Sequence, residues 1–274
     1  MTRIAICAPS TPITREQAEQ VTALAADFPQ LALEFHSQCF AEQGHFAGSD
    51  SVRLGAFLDC ANAPGVDAVW FAKGGYGANR IAAEAVASLG ETARGKTYFG
   101  YSDAGYLLAG LYKAGIGQCV HGPMPVDVRR DGGEAAVRRA LAWFAGDTEG
   151  LEPSLDARPA AAFNLMTLAM SCGTALMPDL SGHIVMVEEV AEHLYAVDRL
   201  FFHLTQHLRG IAGLRLGRVS AVPENDRPFG TGPEDIARDW CQRSGIPFLG
   251  AADIGHDADN RIVPFGLAPA RARS

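Results

Sequence analysis

The chain has 274 residues, of which 48% are apolar and 20% charged. That make-up belongs to a globular protein and excludes a disordered one. Acidic residues outnumber basic ones by 31 to 23, a net charge of −8, and no Lys/Arg run occurs. The basic stripe of a phosphate-tracking surface is therefore missing, which argues against nucleic acid as a partner.

No stretch approaches the ~18 apolar residues of a membrane span. The N-terminal MTRIAICAPSTP lacks the long apolar region of a signal peptide and reads as a first strand. Six cysteines (Cys7, Cys39, Cys60, Cys119, Cys172, Cys241) are scattered without CxxC or Cys/His metal spacing. They read as buried free thiols in a reducing compartment, so a cytoplasmic protein is expected.

In chain order, strands are expected at 3–8, 31–35, 67–72, 97–100 and 116–121. Helices are expected at 14–27, at 49–61 with an N-cap in GSDS, from GGYG to about 89, and from Ser102-Asp103 to about 114. Short, continuously apolar strands alternating with helices predict a parallel sheet covered on both faces. The polar, Pro- and Gly-containing run 147–159 is the candidate linker, dividing the chain into 1–150 and 151–274. Beyond it, helices are expected near 164–172, 197–209 and 233–244, with strands near 183–187, 214–219 and 248–251.

Open parallel sheets bind ligands outside the carboxyl ends of their strands. Ala8-Pro9-Ser10, Lys73-Gly74-Gly75-Tyr76-Gly77 and Gly100-Tyr101-Ser102-Asp103 all fall there. A serine on a tight strand-to-helix turn can expose its Oγ as a nucleophile, with helix N-terminal N–H groups beneath it. A serine before an aspartate at a helix start is more often a plain helix cap. GGYG can be a strand-to-helix turn, a phosphate cradle or an oxyanion donor, and it matches neither GxGxxG nor a Walker loop. His203 and His207 share a helix face but lack the HExxH glutamate, so helix surface or packing is the better reading and no metal is expected. His256 follows an apolar segment, and Glu188 and Glu189 close another. Residue types alone stop at an α/β protein with the character of an enzyme.

Taken in order, these segments resemble the LD-carboxypeptidase family of serine peptidases, nearly end to end. IAICAPSTP, HFAGSDSVR, VWFAKGGYGANR, YFGYSDAGYLL, CVHGPM, VEEVAEHLYAVDRLFFHL and FLGAADIGHDADNRIVPFG carry the likeness. The resemblance implies an N-terminal doubly wound domain like that of class I glutamine amidotransferases and a smaller C-terminal α/β domain. It implies Ser102 as nucleophile, His256 as general base and Glu188 as the acid orienting it. The N–H groups of Asp103 and Gly75 would form the oxyanion hole. Gly74, Tyr76, Lys73 and Arg80 are candidates for substrate contact.

The implied substrate is a murein tetrapeptide that loses its terminal D-Ala in cell-wall recycling, without a cofactor and within a homodimer. A second branch of the family inactivates a peptidyl-nucleotide antibiotic, and a retired muropeptide-binding protein is a third reading. Three departures bear on the pocket: Lys73 stands where Arg is usual, Ala104-Gly105 replaces an apolar residue followed by Thr, and Phe163 adds bulk in a segment that is usually GGNL.

Overall fold

A computed structural model describes residues 1–267. The strands of the first half are short: β1 (Thr2–Cys7), β2 (Leu31–Phe35), β3 (Ala68–Phe71), β4 (Thr97–Gly100) and β5 (Gln118–His121), and all but the edge strand β2 are largely buried. All four residues of β3, AVWF, are buried, as a strand with helices on both sides requires. These strands lie parallel in the order β5-β4-β3-β1-β2. The order reverses between β1 and β3, so the loops after those strands diverge and leave a crevice. Ser102 follows the next strand, β4.

The covering helices are α1 (Arg15–Ala25), α2 (Asp50–Asn62), α3 (Ala78–Ala87), α4 (Gly105–Ala114) and α5 (Gly133–Phe144). Ser49 caps α2 by accepting from the Val52 N–H at 3.2 Å, as the GSDS signal predicts. Thr14 and Gln17 form a reciprocal capping box on α1. No element is expected over α5 from the sequence signals above. Its signal is the spacing of the buried Ala136, Val137, Ala140 and Leu141, which follows the helical period.

The second sheet is parallel, in the order β6 (Ala160–Asn164), β7 (Ile184–Val190), β8 (Gly213–Ser220) and β9 (Phe248–Ala251). Helices α6 (Leu165–Ser171), α7 (Leu194–His207) and α8 (Pro233–Arg243) connect its strands. Strand β6, AAAFN, lies just ahead of the expected helix. Three alanines give it little of the β-branched character that marks a strand. The chain then returns to the first sheet, where β10 (Val263–Pro264) pairs antiparallel with β5. Just beyond, Gly266 and Ala160 exchange backbone hydrogen bonds of 2.9 and 2.8 Å. One buried apolar cluster runs from Ile4 and Trp70 through Leu107 to Phe163, Leu168 and Val185, so the two sheets share a core. All six cysteines are free, and five of them are buried.

Arg53 is the largest charged side chain wholly inside the first half. Its guanidinium donates to the Pro9 carbonyl, to the Gly77 carbonyl at 2.8 Å and to Asp50. It thereby ties the loop after β1 to the loop after β3. Arg53→Met would strip the Pro9 carbonyl of its donor and leave the Gly77 carbonyl only the Arg80 N–H at 3.1 Å, and a loss of about 2 kcal/mol is expected. Urea unfolding would read it as a lower midpoint; an unchanged midpoint would show that the loops hold without Arg53.

Candidate active site

Ser102 opens a one-turn 3-10 segment (Ser102–Ala104) that runs straight into α4. Its φ is +60°, a left-handed backbone that costs a side-chain-bearing residue about 1–2 kcal/mol. Such a kink between strand and helix lifts the side chain off the sheet. Space for it is made by Gly74, where a Cβ would lie 2.8 Å from both Ser102 Cβ and Oγ and 3.2 Å from the Asp103 nitrogen.

The kink is held by the side chain that follows it. Asp103 is buried, and its Oδ2 accepts from Ser10 Oγ at 2.5 Å and from the Ala78 N–H at 2.8 Å. One carboxylate oxygen thus joins the loop after β1, the N-terminus of α3 and the serine turn. Burial pushes this carboxyl's pKa up, opposed by those two hydrogen bonds. From the second half, Thr167 Oγ1 donates to the Ser102 carbonyl at 3.4 Å.

The second half also supplies the other two residues. Glu188 lies within β7 and is fully buried. His256 sits in the loop between β9 and β10. Its Nδ1 is 2.6 Å from Glu188 Oε2, and its Nε2 is 3.0 Å from Ser102 Oγ. Burial alone would lower the imidazole pKa, but the charge and hydrogen bond of Glu188 outweigh it and hold the pKa above the ordinary value. The backbone at Gly217 on β8 passes so near that a Cβ there would come within 2.9 Å of Glu188 Cβ.

The Gly74–Gly75 peptide is fixed by Thr11, whose Oγ1 donates to the Gly74 carbonyl at 2.6 Å. The described residues contain no cis peptide, and in a trans peptide C=O and N–H point in opposite directions. The Gly75 N–H is therefore aimed away from the atom that Thr11 holds. Gly75 needs to be glycine twice over: its φ is +108°, and a Cβ would meet Thr11 at 2.7 Å.

A cavity of about 790 Å³ opens beside Ser102, lined among others by Gly75, Tyr76, Asp103, Tyr106, Asn164 and Glu189. Of the remaining candidates, Gly74 touches Ser102 and Tyr76 lines the cavity, whereas Lys73 and Arg80 do not line it. The Lys73 ammonium donates to the Pro12 carbonyl at 3.1 Å. Arg80 pairs with Asp50, its Nη2 2.7 Å from the carboxylate, and borders a neighbouring recess with Gln43 to Ser51.

Two of the sequence departures meet in space. Phe163 is buried against Phe265, ring centroids 4.9 Å apart, and a Cβ on Gly105 would lie 3.5 Å from its ring. The larger residue at 163 is accommodated beside the smallest at 105, and Phe163 stays out of the cavity lining.

Sequence reasoning passed over several residues that shape this site. Asn164 caps α6 and donates to Glu189 Oε1 at 2.7 Å, while Glu189 Oε2 accepts from the Met166 N–H at 2.9 Å. Ser10 and Thr11 lie in the IAICAPSTP block without a role assigned to them, and Thr167 is marked only by an Asn-x-x-Thr cap ahead of an apolar run.

Profiles of the LD-carboxypeptidase family match both halves, the N-terminal domain over residues 4–122 and the C-terminal domain over residues 161–270. The murein tetrapeptide carboxypeptidase of Pseudomonas aeruginosa is 24% identical over 293 residues, covering 96% of this chain and 91% of that protein. Among solved structures, muramoyltetrapeptide carboxypeptidase from Oxalobacter formigenes is similar at a TM-score of 0.80 and 24% identity, covering 97% of this chain and 96% of that one. The microcin C7 self immunity protein MccF is similar at a TM-score of 0.79 and 17% identity, over 97% of this chain and 91% of that one. At those identities the structural likeness is one of fold. With a matching domain profile on each half, the chain belongs to the LD-carboxypeptidase family of serine-type hydrolases.

Proposed function

We propose that this protein is a serine carboxypeptidase that hydrolyses the L,D-peptide bond of a murein tetrapeptide and releases the terminal D-Ala. The observation that carries the reading is the unbroken chain Ser102 Oγ–His256 Nε2–Glu188 Oε2, at 3.0 and 2.6 Å, beside an open cavity. The name of the Pseudomonas relative supports the substrate class. Reduced cysteines suit a cytoplasmic place in cell-wall recycling.

In this reading neutral His256 donates its Nδ1–H to Glu188 and accepts the Ser102 proton at Nε2 as Oγ attacks the scissile carbonyl. Glu188 then stabilises the imidazolium. The Asp103 and Gly75 N–H groups flank the position of the developing oxyanion. Each such donor contributes roughly 3–4 kcal/mol in comparable sites. His256 returns the proton to the leaving amine, D-Ala departs, and water hydrolyses the acyl-enzyme by the same route in reverse.

The test is release of D-Ala from a muramoyl tetrapeptide. Ser102→Ala is expected to fall by roughly 10⁴-fold or more against wild type. Labelling of wild type at Ser102 by a fluorophosphonate without any D-Ala release would keep the nucleophile and overturn the substrate. Such a result would favour the antibiotic-nucleotide branch.

The working base is neutral His256, so the rate is lost as pH falls through its raised pKa. Glu188→Gln removes the charge that raises that pKa and leaves burial and Arg130 opposing protonation. Its acid limb is expected at lower pH than in wild type, with a plateau lower by roughly 10⁴-fold. A pH profile of D-Ala release decides it, and an unmoved limb would mean that Glu188 does not govern the base.

Gly74→Ala would place a methyl against Ser102 and the Asp103 N–H. Loss of fluorophosphonate labelling by roughly 100-fold or more is expected, with a melting temperature lowered only by the few degrees that local overpacking costs. Full labelling would show that the serine turn tolerates the contact.

A further inference from the structure

The loop that carries His256 leaves the second sheet, yet the first half holds it. Arg130, in the turn after β5, donates from Nη1 to the His256 carbonyl. Its Nε donates to Asp127 Oδ1 at 2.8 Å, and its Nη2 lies 3.3 Å from the Tyr101 hydroxyl. Tyr101 donates to the same Asp127 oxygen at 2.8 Å, and its ring lies 4.8 Å from the imidazole. Asp127 is buried and accepts from the Met124 N–H at 2.8 Å through its other oxygen. Further along the loop, Arg139 of α5 donates to the Ala258 and Asn260 carbonyls, both at 2.9 Å.

We propose that Arg130, braced by Asp127, is a positioning residue for His256: it latches the histidine's backbone to the half that carries Ser102 and so fixes the imidazole against Oγ. The inference rests on the reading of His256 as the base of Ser102. Three constraints then act on one side chain. Glu188 holds Nδ1, the Tyr101 ring packs beside the imidazole, and Arg130 anchors the main chain. The guanidinium spreads its donors over three nitrogens, and each engages a different acceptor, whereas an ammonium gathers its three N–H groups on one atom.

The latch also sits within the electrostatic surroundings of the base. The groups facing His256 are Glu188 from β7, Arg130 and Asp127 from the turn after β5, Tyr101 ahead of Ser102, and His121 at the end of β5. Asp257, next in the loop, is paired with Arg218. Burial opposes the charged imidazole, Glu188 favours it, Arg130 opposes it and Asp127 favours it. Removing the Arg130 cation therefore raises the imidazole pKa, and neutralising Asp127 lowers it.

The experiment measures the rate at which a fluorophosphonate labels Ser102, as a function of pH, so that no knowledge of the natural substrate is needed. Wild type, Arg130→Met, Arg130→Lys and Asp127→Asn are compared, with circular dichroism reporting the folded fraction. Arg130→Met is expected to label roughly 10–100-fold more slowly, with its acid midpoint moved to higher pH. Arg130→Lys keeps the midpoint near that of wild type and recovers part of the rate. Asp127→Asn moves the midpoint to lower pH.

A midpoint unchanged in both Arg130→Met and Asp127→Asn, with rates that follow only the folded fraction, would overturn the latch and leave a purely structural ion pair. Should Arg130→Met fail to fold, the opposite behaviour of Arg130→Lys and Asp127→Asn carries the same decision. Absence of labelling in wild type would overturn the triad itself, and the latch with it.

Discussion

His256 Nε2 and Ser102 Oγ are 154 positions apart in the chain and 3.0 Å apart in space. The proposed general base would work only within hydrogen-bond reach of the proton it takes, and that contact requires two sheets with separate connections to dock closely. The shared apolar core supplies the non-directional attraction for this. The return of β10 to β5, and the paired hydrogen bonds between Gly266 and Ala160, supply the direction. The C-terminal segment leaves the second sheet, carries the histidine past Glu188 and ends as an edge strand of the first.

The same requirement explains the polar groups buried near the serine. A left-handed Ser102 is held against its own backbone preference, and such a conformation lasts only where its surroundings over-determine it. Here those surroundings are the Asp103 carboxylate, which ties three loops, and the Thr11 and Arg53 side chains, which fix the glycine turn and its neighbours. The Pro9, Ser10, Gly74 and Gly77 carbonyls in these loops each find a donor, so irregular backbone sits inside the fold without those groups going unpaired. The crevice at the reversal of strand order is where such loops have room to diverge.

The cavity beside Ser102 carries the carboxylates of Glu189 and Glu192 and no Lys or Arg among its lining residues. Glu189 is fully engaged with Asn164 and with the Met166 and Val190 N–H groups, which makes it part of the wall. The two cations nearest GGYG in the chain are occupied elsewhere, Lys73 by a carbonyl and Arg80 by Asp50. Nearness in sequence to a glycine turn says little about where a long side chain ends, because the chain leaves such a turn in a helix that rotates successive residues by about 100°.

Local pattern was enough for much of this protein. Apolar runs marked β1 to β5 as strands of a covered sheet, though the edge strand β2 is only partly buried, and GSDS marked the start of α2, because burial on a sheet and capping of a helix act within a few residues. Family blocks led to Ser102, Glu188 and His256 one by one. Strand β6 was hidden by its alanines, and helix α5 stood beside a Gly-rich turn. What no local pattern contains is the meeting of the parts: the Ser102–His256 contact, the Asp103 junction, the accommodation of Phe163 by Gly105, and the grip of Arg130 on the His256 carbonyl. Each joins residues far apart in sequence: the Asp103 junction forms as the loops of the first sheet pack, and the other three exist only after apolar burial has brought the two sheets together, so the tertiary structure alone decided them.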